Sequence, residues 1–373
     1  MDVLLELRRQ GQSIWLDYIR RDLIVSGGLK RLIDSDGITG ITSNPTIFER
    51  AIDESTDYDD AIRGILTAHP ELHGKEVYDR LSIEDVQMSA DLLRPIYERT
   101  GGSDGYVSLE PPPQSTRDAR ETIREARRLW SLIGRPNLMI KVVATKEGIQ
   151  AVEALIAEGI NVNITLMFSL RHYEAVAGAY IRGVTRCHEP SKVASVASFF
   201  VSRVDAEVDR KLEQNHSQEA LALRGKIAIA NAKVVYRRFR EIFYGDGFAG
   251  LRQKRVRVQR PLWASTGTKN PGYSDVMYVE ELIGSDTVNT IPPATLEAFR
   301  NHGKVKGSTV LEAISSAEDM LNRLSAEGID LDAVAERLQE EGAAAFASAY
   351  DRVVTALDKK RHSAAAAVSS RQT

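Results

Sequence analysis

A lysine at the centre of an apolar segment is the most informative chemical feature of the sequence. Lys141 lies in "NLMIKVVATKEG" (residues 137–148), among aliphatic and β-branched side chains that indicate a strand buried on both faces. A buried ammonium must be paired with a carboxylate or lose its proton. A neutral lysine amine can attack a ketone and form a Schiff base, and the protonated Schiff base allows a nearby carbon–carbon bond to break. The sequence therefore points to carbonyl chemistry at Lys141.

Carboxylates at the ends of two other strand-like segments are candidates for the proton transfers that such chemistry needs. Asp17 follows "SIWL" and Glu110 follows "YVSL", and both residue types can act as general acid or base. Structural interpretations stay open at this point. Asp17 could cap the next helix, Glu110 could be an exposed loop residue, and a Lys141–Glu110 ion pair could be purely structural.

The elements that would position these residues alternate between strand-like and helical patterns. The strand-like segments are residues 13–18, 37–42, 105–110, 138–145, 160–168, 193–201, 258–265 and 286–291, and helices are predicted over 117–132, 146–157 and 205–243. Such alternation is typical of parallel strands joined by crossover helices. Eight units favour a closed barrel, so the predicted fold class is α/β, a (β/α)8 TIM barrel with extra helices.

The domain organisation predicted from these patterns is a single catalytic barrel over residues 1–362. It carries a helical insertion at about 66–102, whose helix at 84–102 ends at a glycine pair, a common helix terminator. Three helical patterns at about 310–358 are expected to pack around the barrel. The low-complexity residues 363–373 are predicted to be a disordered tail.

The two-residue alternation within strands assigns many polar side chains to the barrel interior. In "NVNITLM" (161–167), Val162, Ile164 and Leu166 share the helix-facing side, and the polar residues between them face inward. The predicted interior set comprises Asp17, Thr42, Asn44, Glu110, Lys141, Asn163, Thr165 and Ser198. Taken alone, Asn44 is also a common turn residue before proline. Packing does not require so many polar groups, and active sites lie at the carboxyl ends of barrel strands.

Two late segments are candidates for binding a phosphate. Arg203 lies in "SFFVSRVD", and "WASTGTKNP" (263–271) places Ser265 and Lys269 between a strand and a helix. "STGTK" does not have the spacing of a nucleotide-binding P-loop. Arg203 has an alternative structural interpretation as a salt-bridge partner of Asp205 or a helix cap.

Composition excludes several classes of protein. The 373 residues are 43% hydrophobic and 27% charged, with a formal net charge of −3, as expected of a globular chain. No basic, aromatic-rich segment indicates a nucleic-acid partner, and no run approaches the roughly 18 apolar residues of a membrane span. The first residues lack the pattern of a signal peptide, so a cytoplasmic location is expected. A single cysteine, Cys187, and the lack of a His pair at ligand spacing argue against a metal site.

Seven segments, taken together, resemble those of transaldolases. They are "SIWLDYIRRDLI", "GITGITSNPTIF", "YVSLE", "LMIKVVATKEGI", "GINVNITLMFS", "SFFVSRVD" and "LWASTGTKNP", in family order along nearly the whole chain. The length and the "STGTKNP" form are similar to the longer bacterial members. The resemblance implies a (β/α)8 barrel, sugar-phosphate substrates, no metal or organic cofactor, and a monomer or homodimer.

The resemblance also implies a reaction. A dihydroxyacetone unit would move from sedoheptulose 7-phosphate or fructose 6-phosphate to glyceraldehyde 3-phosphate or erythrose 4-phosphate, in the non-oxidative pentose phosphate pathway. By motif, the catalytic roles fall to Lys141 (Schiff base), Asp17 (acid/base), and Glu110 and Thr165 (positioning of a proton-relay water). The substrate-binding roles fall to Asn44 and Asn163 (dihydroxyacetone moiety), Thr42, Ser198 and Phe200 (pocket shape), and Arg203, Ser265 and Lys269 (phosphate).

Two departures from the family pattern and two rival functions accompany this resemblance. The segment "PPPQSTRDA" after Glu110 is richer in proline than the family pattern, and shorter members have an arginine near the position of Lys269. An aldolase of the same barrel type would release free dihydroxyacetone, and a non-catalytic barrel would only bind sugar phosphates. The full motif set, including Lys141 and Asp17, favours a transaldolase over both.

Overall fold

The computed structural model describes residues 3–43, 45–53, 55–215 and 217–369. Eight parallel strands form a closed barrel in chain order, which confirms the predicted fold class and all eight strand segments. The strands are β1 (Gln12–Leu16), β2 (Gly40–Thr42), β3 (Tyr106–Leu109), β4 (Leu138–Val143), β5 (Val162–Met167), β6 (Ser195–Phe200), β7 (Arg260–Ala264) and β8 (Thr287–Ile291). Asp17, Glu110 and Ser265 therefore lie directly after β1, β3 and β7.

Helices surround the barrel and cross its carboxyl end. They are α1 (Val3–Arg9), α2 (Arg21–Val25), α3 (Gly28–Ser35), α4 (Pro45–Asp53), α5 (Asp59–Ala68), α6 (Gly74–Arg99), α7 (Ala119–Ile133), α8 (Lys146–Ala157), α9 (Leu170–Arg186), α10 (Ser202–Asn215), α11 (Gln218–Leu221), α12 (Ile227–Tyr244), α13 (Asp246–Gln253), α14 (Met277–Glu281), α15 (Pro293–His302), α16 (Ile314–Ala326) and α17 (Leu331–Ser369). Short 3₁₀ helices cover Pro113–Arg117, Pro190–Lys192 and Thr309–Leu311. No helix in the described residues has both the length and the apolar character needed to cross a membrane.

Several helix boundaries differ from the predictions. The segment between β2 and β3 holds α4, α5 and α6, so the helical region starts well before residue 66. Helix α6 begins at Gly74 rather than at residue 84. At this start, the Glu76 carboxylate accepts a hydrogen bond of 3.1 Å from the His73 N–H. The helical pattern predicted over 205–243 is divided among α10, α11 and α12.

The carboxyl-terminal region is also more regular than predicted. The three helical patterns expected at 310–358 correspond to a 3₁₀ turn, α16 and α17. Helix α17 continues to Ser369, so residues 363–369, predicted to be disordered, are helical. Alanine has the highest helix propensity of any residue type, so the run of alanines there favours continuation of the helix. Residues 370–373 lie outside the described part of the chain.

An apolar layer fills the lower part of the barrel and supports the polar residues above it. Its members are Trp15, Tyr106, Met139, Ala194, Val196, Leu262, Ala264 and Val288. Met139 precedes Lys141 by two residues, so both side chains face the interior, as strand alternation predicts. Gly40 lies against the indole of Trp15, and a Cβ built at Gly40 would be 2.5 Å from ring atoms of Trp15. The barrel is therefore closed below the strand ends, and only its upper end is available for a ligand.

Helix α17 is fixed across the carboxyl ends of two central strands. The buried Gln339 side chain donates hydrogen bonds from Nε2 to the carbonyl oxygens of Ala144 (3.1 Å) and Leu166 (2.9 Å). One amide group thus joins the ends of β4 and β5, which carry Lys141 and Thr165. The next turns of α17 bring Phe346 over the same strand ends.

Candidate active site

A cavity of about 860 Å³ opens at the carboxyl ends of the strands. Ten of the twelve predicted site residues line it: Asp17, Thr42, Glu110, Lys141, Thr165, Ser198, Phe200, Arg203, Ser265 and Lys269. These residues come from seven different strands or the turns that follow them, so the barrel assembles groups that are far apart in the sequence. A volume of this size is typical of small-molecule sites.

Lys141 lies at the inner end of the cavity. Its side chain is 8% exposed, and its Nζ donates a hydrogen bond of 2.9 Å to the Ser43 carbonyl oxygen. The Nζ also lies 3.5 Å from Oε2 of Glu110, so the ion pair considered from the sequence is present. Asn163 is the register neighbour of Lys141 on β5. Because its amine reaches the cavity and is otherwise enclosed, Lys141 can meet a ligand away from bulk water.

The two carboxylates beside Lys141 are poised to hold protons at higher pH than ordinary acidic residues. Burial raises the pKa of the Asp17 carboxyl, while Lys141 and a 2.9 Å hydrogen bond from Thr42 act in the opposite direction. Burial likewise raises the pKa of Glu110, against the effect of Lys141. The side chain of Glu110 is 10% exposed, so it is not the surface loop residue considered above. Carboxyl groups with raised pKa values suit proton transfer near neutral pH.

Two cations face the cavity from the later strands. Arg203 and Lys269 are solvent-accessible through it, and within the described residues neither has a carboxylate at ion-pair distance. The surrounding protein lowers the pKa of the Arg203 guanidinium, but Asp17 and Glu341 oppose this effect, and arginine stays protonated. The guanidinium carbon of Arg203 lies 5.4 Å from the ring centroid of Phe200. Unpaired cations in a cavity favour an anionic ligand.

Comparison of the sequence with known proteins identifies the family of the chain. The family model described as Transaldolase/Fructose-6-phosphate aldolase matches residues 14–357, which includes every strand from Ile14 onward. The chain belongs to the transaldolase/fructose-6-phosphate aldolase family. The cavity described above is the carboxyl-end site of a member of this family, with a lysine at its inner end and two carboxylates beside it.

Individual relatives in the transaldolase/fructose-6-phosphate aldolase family align over almost their full length. A protein named Transaldolase from Mycolicibacterium smegmatis is 43% identical over 357 residues, 95% of this chain and 96% of the relative. A Transaldolase from Thiobacillus denitrificans is 44% identical over 358 residues, 95% of this chain and 99% of its own length. Transaldolase 2 from a Nostoc species is 44% identical over 373 residues, covering 96% and 97%.

Strained backbone occurs at two cavity residues of this family member. Ser265 has φ of 56°, and its Oγ lies 2.9 Å from Oγ of Ser202, whose N–H donates to the Ser265 carbonyl oxygen at 3.1 Å. Leu166 has φ of 60° in a β-bulge of β5. Left-handed backbone at non-glycine residues is costly and clusters at functional sites. The surrounding contacts hold both residues in place.

The bulge overturns the predicted orientation of Leu166. Alternation assigned Leu166 to the helix-facing side with Val162 and Ile164, but its side chain lines the cavity and packs beneath α17. A Cβ built at Gly342 would lie 2.9 Å from Cδ2 of Leu166. The extra residue of a bulge interrupts the two-residue period, so the alternation rule fails from this point.

One predicted residue of the described part of the chain, Asn163, does not line the cavity. Asn163 is fully buried, with Nδ2 donating to Ser108 Oγ (2.9 Å) and Oδ1 accepting from Ser198 Oγ (2.6 Å). Both ends of its amide are therefore engaged, one with β3 across the barrel interior and the other with the adjacent strand β6. Asn44 lies outside the described residues.

Several cavity residues were missed from the sequence. Thr290 at the end of β8 shares a 2.6 Å hydrogen bond with Thr42, and Arg20 and Arg50 also line the cavity. Arg20 forms an ion pair with Asp57, whereas Arg50 has no such partner in the described residues. The alternation of residues in "TVNT" on β8 places Thr290 on the inward-facing side and would have identified it. Phe346 on α17 had no local signal, since a helix distant in sequence brings it to the site.

Two of the structural interpretations made from the sequence do not agree with the structure. Helix α2 begins at Arg21 with Arg20 at its N-cap position, so Asp17 does not cap it. Asp205 accepts hydrogen bonds from the Ala228 N–H and the Tyr278 hydroxyl, and it does not pair with Arg203. The described residues contain no cluster of three or more potential metal-ligating side chains.

Proposed function

We propose that this protein is a transaldolase. It transfers a dihydroxyacetone unit from sedoheptulose 7-phosphate or fructose 6-phosphate to glyceraldehyde 3-phosphate or erythrose 4-phosphate, as in the non-oxidative pentose phosphate pathway. The observation that carries this proposal is the enclosed amine of Lys141, which meets the cavity beside Asp17 and Glu110. Membership of the family, with close relatives named Transaldolase, supports the choice of reaction.

In the proposed mechanism, Lys141 attacks the ketone carbon of the donor sugar. The carbinolamine loses water to give a protonated imine, which withdraws electrons from the adjacent carbon. Asp17 removes the proton of the C4 hydroxyl, the C3–C4 bond breaks, and an aldose phosphate leaves. The three-carbon enamine stays on Lys141 until it attacks the acceptor aldehyde. Water then hydrolyses the new imine and frees the product and the amine.

The neighbouring groups supply proton transfer and binding in this proposal. Glu110 and Thr165 hold the water that carries protons to and from the carbinolamine. Thr42, Ser198 and Phe200 shape the donor pocket, Asn44 and Asn163 complete it, and Asn163 acts through its hydrogen bond with Ser198. Arg203, Ser265 and Lys269 bind the phosphate. The protonated imine is itself the electron sink, so the reaction as proposed requires neither a metal nor an organic cofactor.

The expected location of the activity is the cytoplasm, with the protein acting as a monomer or homodimer. The single cysteine in 373 residues supports a reducing compartment, where disulfides are rare. Size-exclusion chromatography with light scattering would determine the oligomeric state.

Trapping the intermediate tests the proposal directly. The protein is incubated with fructose 6-phosphate without acceptor, reduced with borohydride and digested for peptide mass spectrometry. A three-carbon adduct on Lys141 is expected, and Lys141→Met should abolish both the adduct and turnover in a folded protein. Lys146→Met, five residues away at the start of α8, is the matched control and should behave as wild type. An adduct on Lys146 or Lys269, or full activity of Lys141→Met, would refute the mechanism.

The Asp17→Asn variant separates imine formation from bond cleavage. It should form the imine but cleave it slowly, by roughly 10²–10⁴-fold, so borohydride should trap a six-carbon adduct in place of the three-carbon one. Unimpaired cleavage would assign the acid/base role elsewhere. Adding erythrose 4-phosphate to the wild type distinguishes transfer, seen as sedoheptulose 7-phosphate, from simple release of dihydroxyacetone.

A further inference from the structure

Two carboxylates one turn apart on α10 each receive a tyrosine hydroxyl from the segment that follows β7. The Tyr273 hydroxyl donates to Oδ2 of Asp209 at 2.7 Å, and the Tyr278 hydroxyl donates to Oδ2 of Asp205 at 2.9 Å. Residues four apart on a helix lie on the same face, so both bonds join one face of α10 to one segment. Neither pair belongs to the reacting groups described above.

Both residues of the Tyr273–Asp209 contact are held in place by further contacts with Gly225. Asp209 is 6% exposed, and its Oδ1 accepts a hydrogen bond of 3.0 Å from the Gly225 N–H. The Tyr273 ring packs on Gly225, where a built Cβ would lie 2.8 Å from Cζ of the ring. The carboxylate is thus held by the backbone before it meets Tyr273, and the ring can approach only because residue 225 lacks a side chain.

These contacts join the two elements that carry Arg203 and Lys269. Arg203 is the second residue of α10, and Lys269 lies in the loop between β7 and α14. The loop is fixed near β7 by Thr266, whose Oγ1 donates to Oδ1 of Asn289 at 3.0 Å, and by the Ser202–Ser265 contact described above. Tyr273 fixes the far side of the loop to the helix that carries Arg203.

We propose that Tyr273 and Asp209 are positioning residues for phosphate recognition, setting the position of Lys269 relative to Arg203. This inference rests on the proposed function, in which Arg203, Ser265 and Lys269 bind the substrate phosphate. A lysine is a compact charge on a flexible side chain, and the side chain of Lys269 is exposed. Its contribution to phosphate binding therefore depends on how firmly the loop is held.

The test is the Tyr273→Phe variant, which keeps the ring on Gly225 and removes only the hydroxyl. We expect KM for fructose 6-phosphate to rise roughly three- to tenfold, the scale of one typical net hydrogen bond, while kcat changes little. The inhibition constant of inorganic phosphate should rise by the same factor. Turnover of unphosphorylated fructose as donor should be unchanged, because it does not use the phosphate site.

Two further variants make the test specific to this contact. Tyr244→Phe removes a tyrosine hydroxyl that donates to a different aspartate, Asp286, and should leave all three quantities as in wild type. Asp209→Asn weakens the same contact from the other side. In a double-mutant cycle, Asp209→Asn should add little to the effect of Tyr273→Phe, since one interaction is lost in both.

The outcomes separate the inference from the proposed function. If wild type does not prefer phosphorylated donors and phosphate does not inhibit it, the proposed phosphate site is wrong. If wild type shows both properties and Tyr273→Phe leaves them unchanged, the positioning role is wrong and the phosphate site stands. Equal losses with phosphorylated and unphosphorylated donors would indicate a purely structural contact and would also overturn the inference.

Discussion

The Oγ1 of Thr42 donates a hydrogen bond of 2.9 Å to Oδ1 of Asp17, linking the ends of β2 and β1. The same oxygen lies 2.6 Å from Oγ1 of Thr290, so a chain of hydroxyls ends on the carboxylate. Burial raises the pKa of Asp17, whereas the hydrogen bond from Thr42 stabilises the ionised carboxylate and lowers the pKa. If Asp17 is the base, as proposed, its ionisation depends in part on the Thr42 hydroxyl.

Replacing Thr42 with valine should shift the pH dependence of the reaction. Thr42→Val removes a hydrogen bond to the carboxylate, so the pKa of Asp17 should rise further. The acid limb of kcat/KM, which reports protonation of the free enzyme's base, should move to higher pH. Thr39→Val is the control, since Thr39 is also buried on the barrel but donates to the Ile14 carbonyl. Coincident pH profiles for Thr42→Val and wild type would contradict the assignment of Asp17 as the base.

Loosening α17 should increase loss of the bound three-carbon unit. Gln339→Met removes both hydrogen bonds to the ends of β4 and β5, and we expect the free energy of unfolding to fall by about 1–3 kcal/mol. Water should then reach the Schiff base more readily. With fructose 6-phosphate alone, free dihydroxyacetone should appear faster per active site than in wild type.

A glutamine in a similar arrangement provides the control for that variant. Gln87 on α6 donates to the carbonyl oxygens of Leu132 (3.3 Å) and Ile133 (3.1 Å), away from the cavity. Gln87→Met should lower stability without changing the release of dihydroxyacetone. If both variants release it at the wild-type rate, α17 does not protect the intermediate.

Asp205 should make stability depend on pH. Burial, together with the nearby Asp209, raises the pKa of its carboxyl to about 7, against the opposing effect of hydrogen bonds from the Ala228 N–H and the Tyr278 hydroxyl. The folded state therefore keeps the proton at pH values where the unfolded chain has lost it. This contribution to stability is full below about pH 4, the ordinary aspartate pKa, and is lost as pH rises to about 7.

Chemical denaturation of wild type and Asp205→Asn at several pH values measures this effect. The free energy of unfolding of wild type, relative to Asp205→Asn, should fall by up to about 1.4 kcal/mol per pH unit between pH 4 and 7. Asp91→Asn should show little change over this range, because Arg135 lowers the pKa of Asp91, and the contribution of Asp91 is lost only as pH falls below about 4. A constant difference between wild type and Asp205→Asn would mean that folding does not raise the pKa of Asp205.

Gly40 should not tolerate even one added methyl group. In Gly40→Ala the new Cβ would lie 2.5 Å from the Trp15 indole, and overpacking of this kind typically costs about 1–3 kcal/mol. Gly64 in α5 has no heavy atom within 4 Å of a built Cβ, so Gly64→Ala should gain up to about 1 kcal/mol of helix stability. Thermal unfolding of the two variants should show shifts in opposite directions.

The strands and the polar residues at their ends could be predicted from the sequence because both depend on local patterns. The apolar run around Lys141 and the alternation in "YVSLE" identified β4 and β3, and the inward parity of Lys141 and Ser198 agrees with the structure. Asp17 and Glu110 were found because each follows a strand. Such signals need only a few neighbouring residues.

The features that were missed depend on tertiary contacts. The β5 bulge places Leu166 in a left-handed conformation, which no propensity of leucine indicates. Gln339 is distant in sequence from the two carbonyl oxygens that it joins, and Phe346 reaches the cavity with it. Asn163 had the predicted inward parity, but the hydroxyls that engage it come from two other strands, β3 and β6.

The position of Gln339 late in the chain has a consequence for biosynthesis. A ribosome makes a protein from its amino terminus, so all eight strands leave it before the residue that joins the ends of β4 and β5. A nascent chain halted after β8 holds every strand of the barrel, yet it lacks the helix that joins the ends of β4 and β5. Catalytic competence should therefore appear abruptly once α17 has been synthesised, rather than in proportion to the length already synthesised.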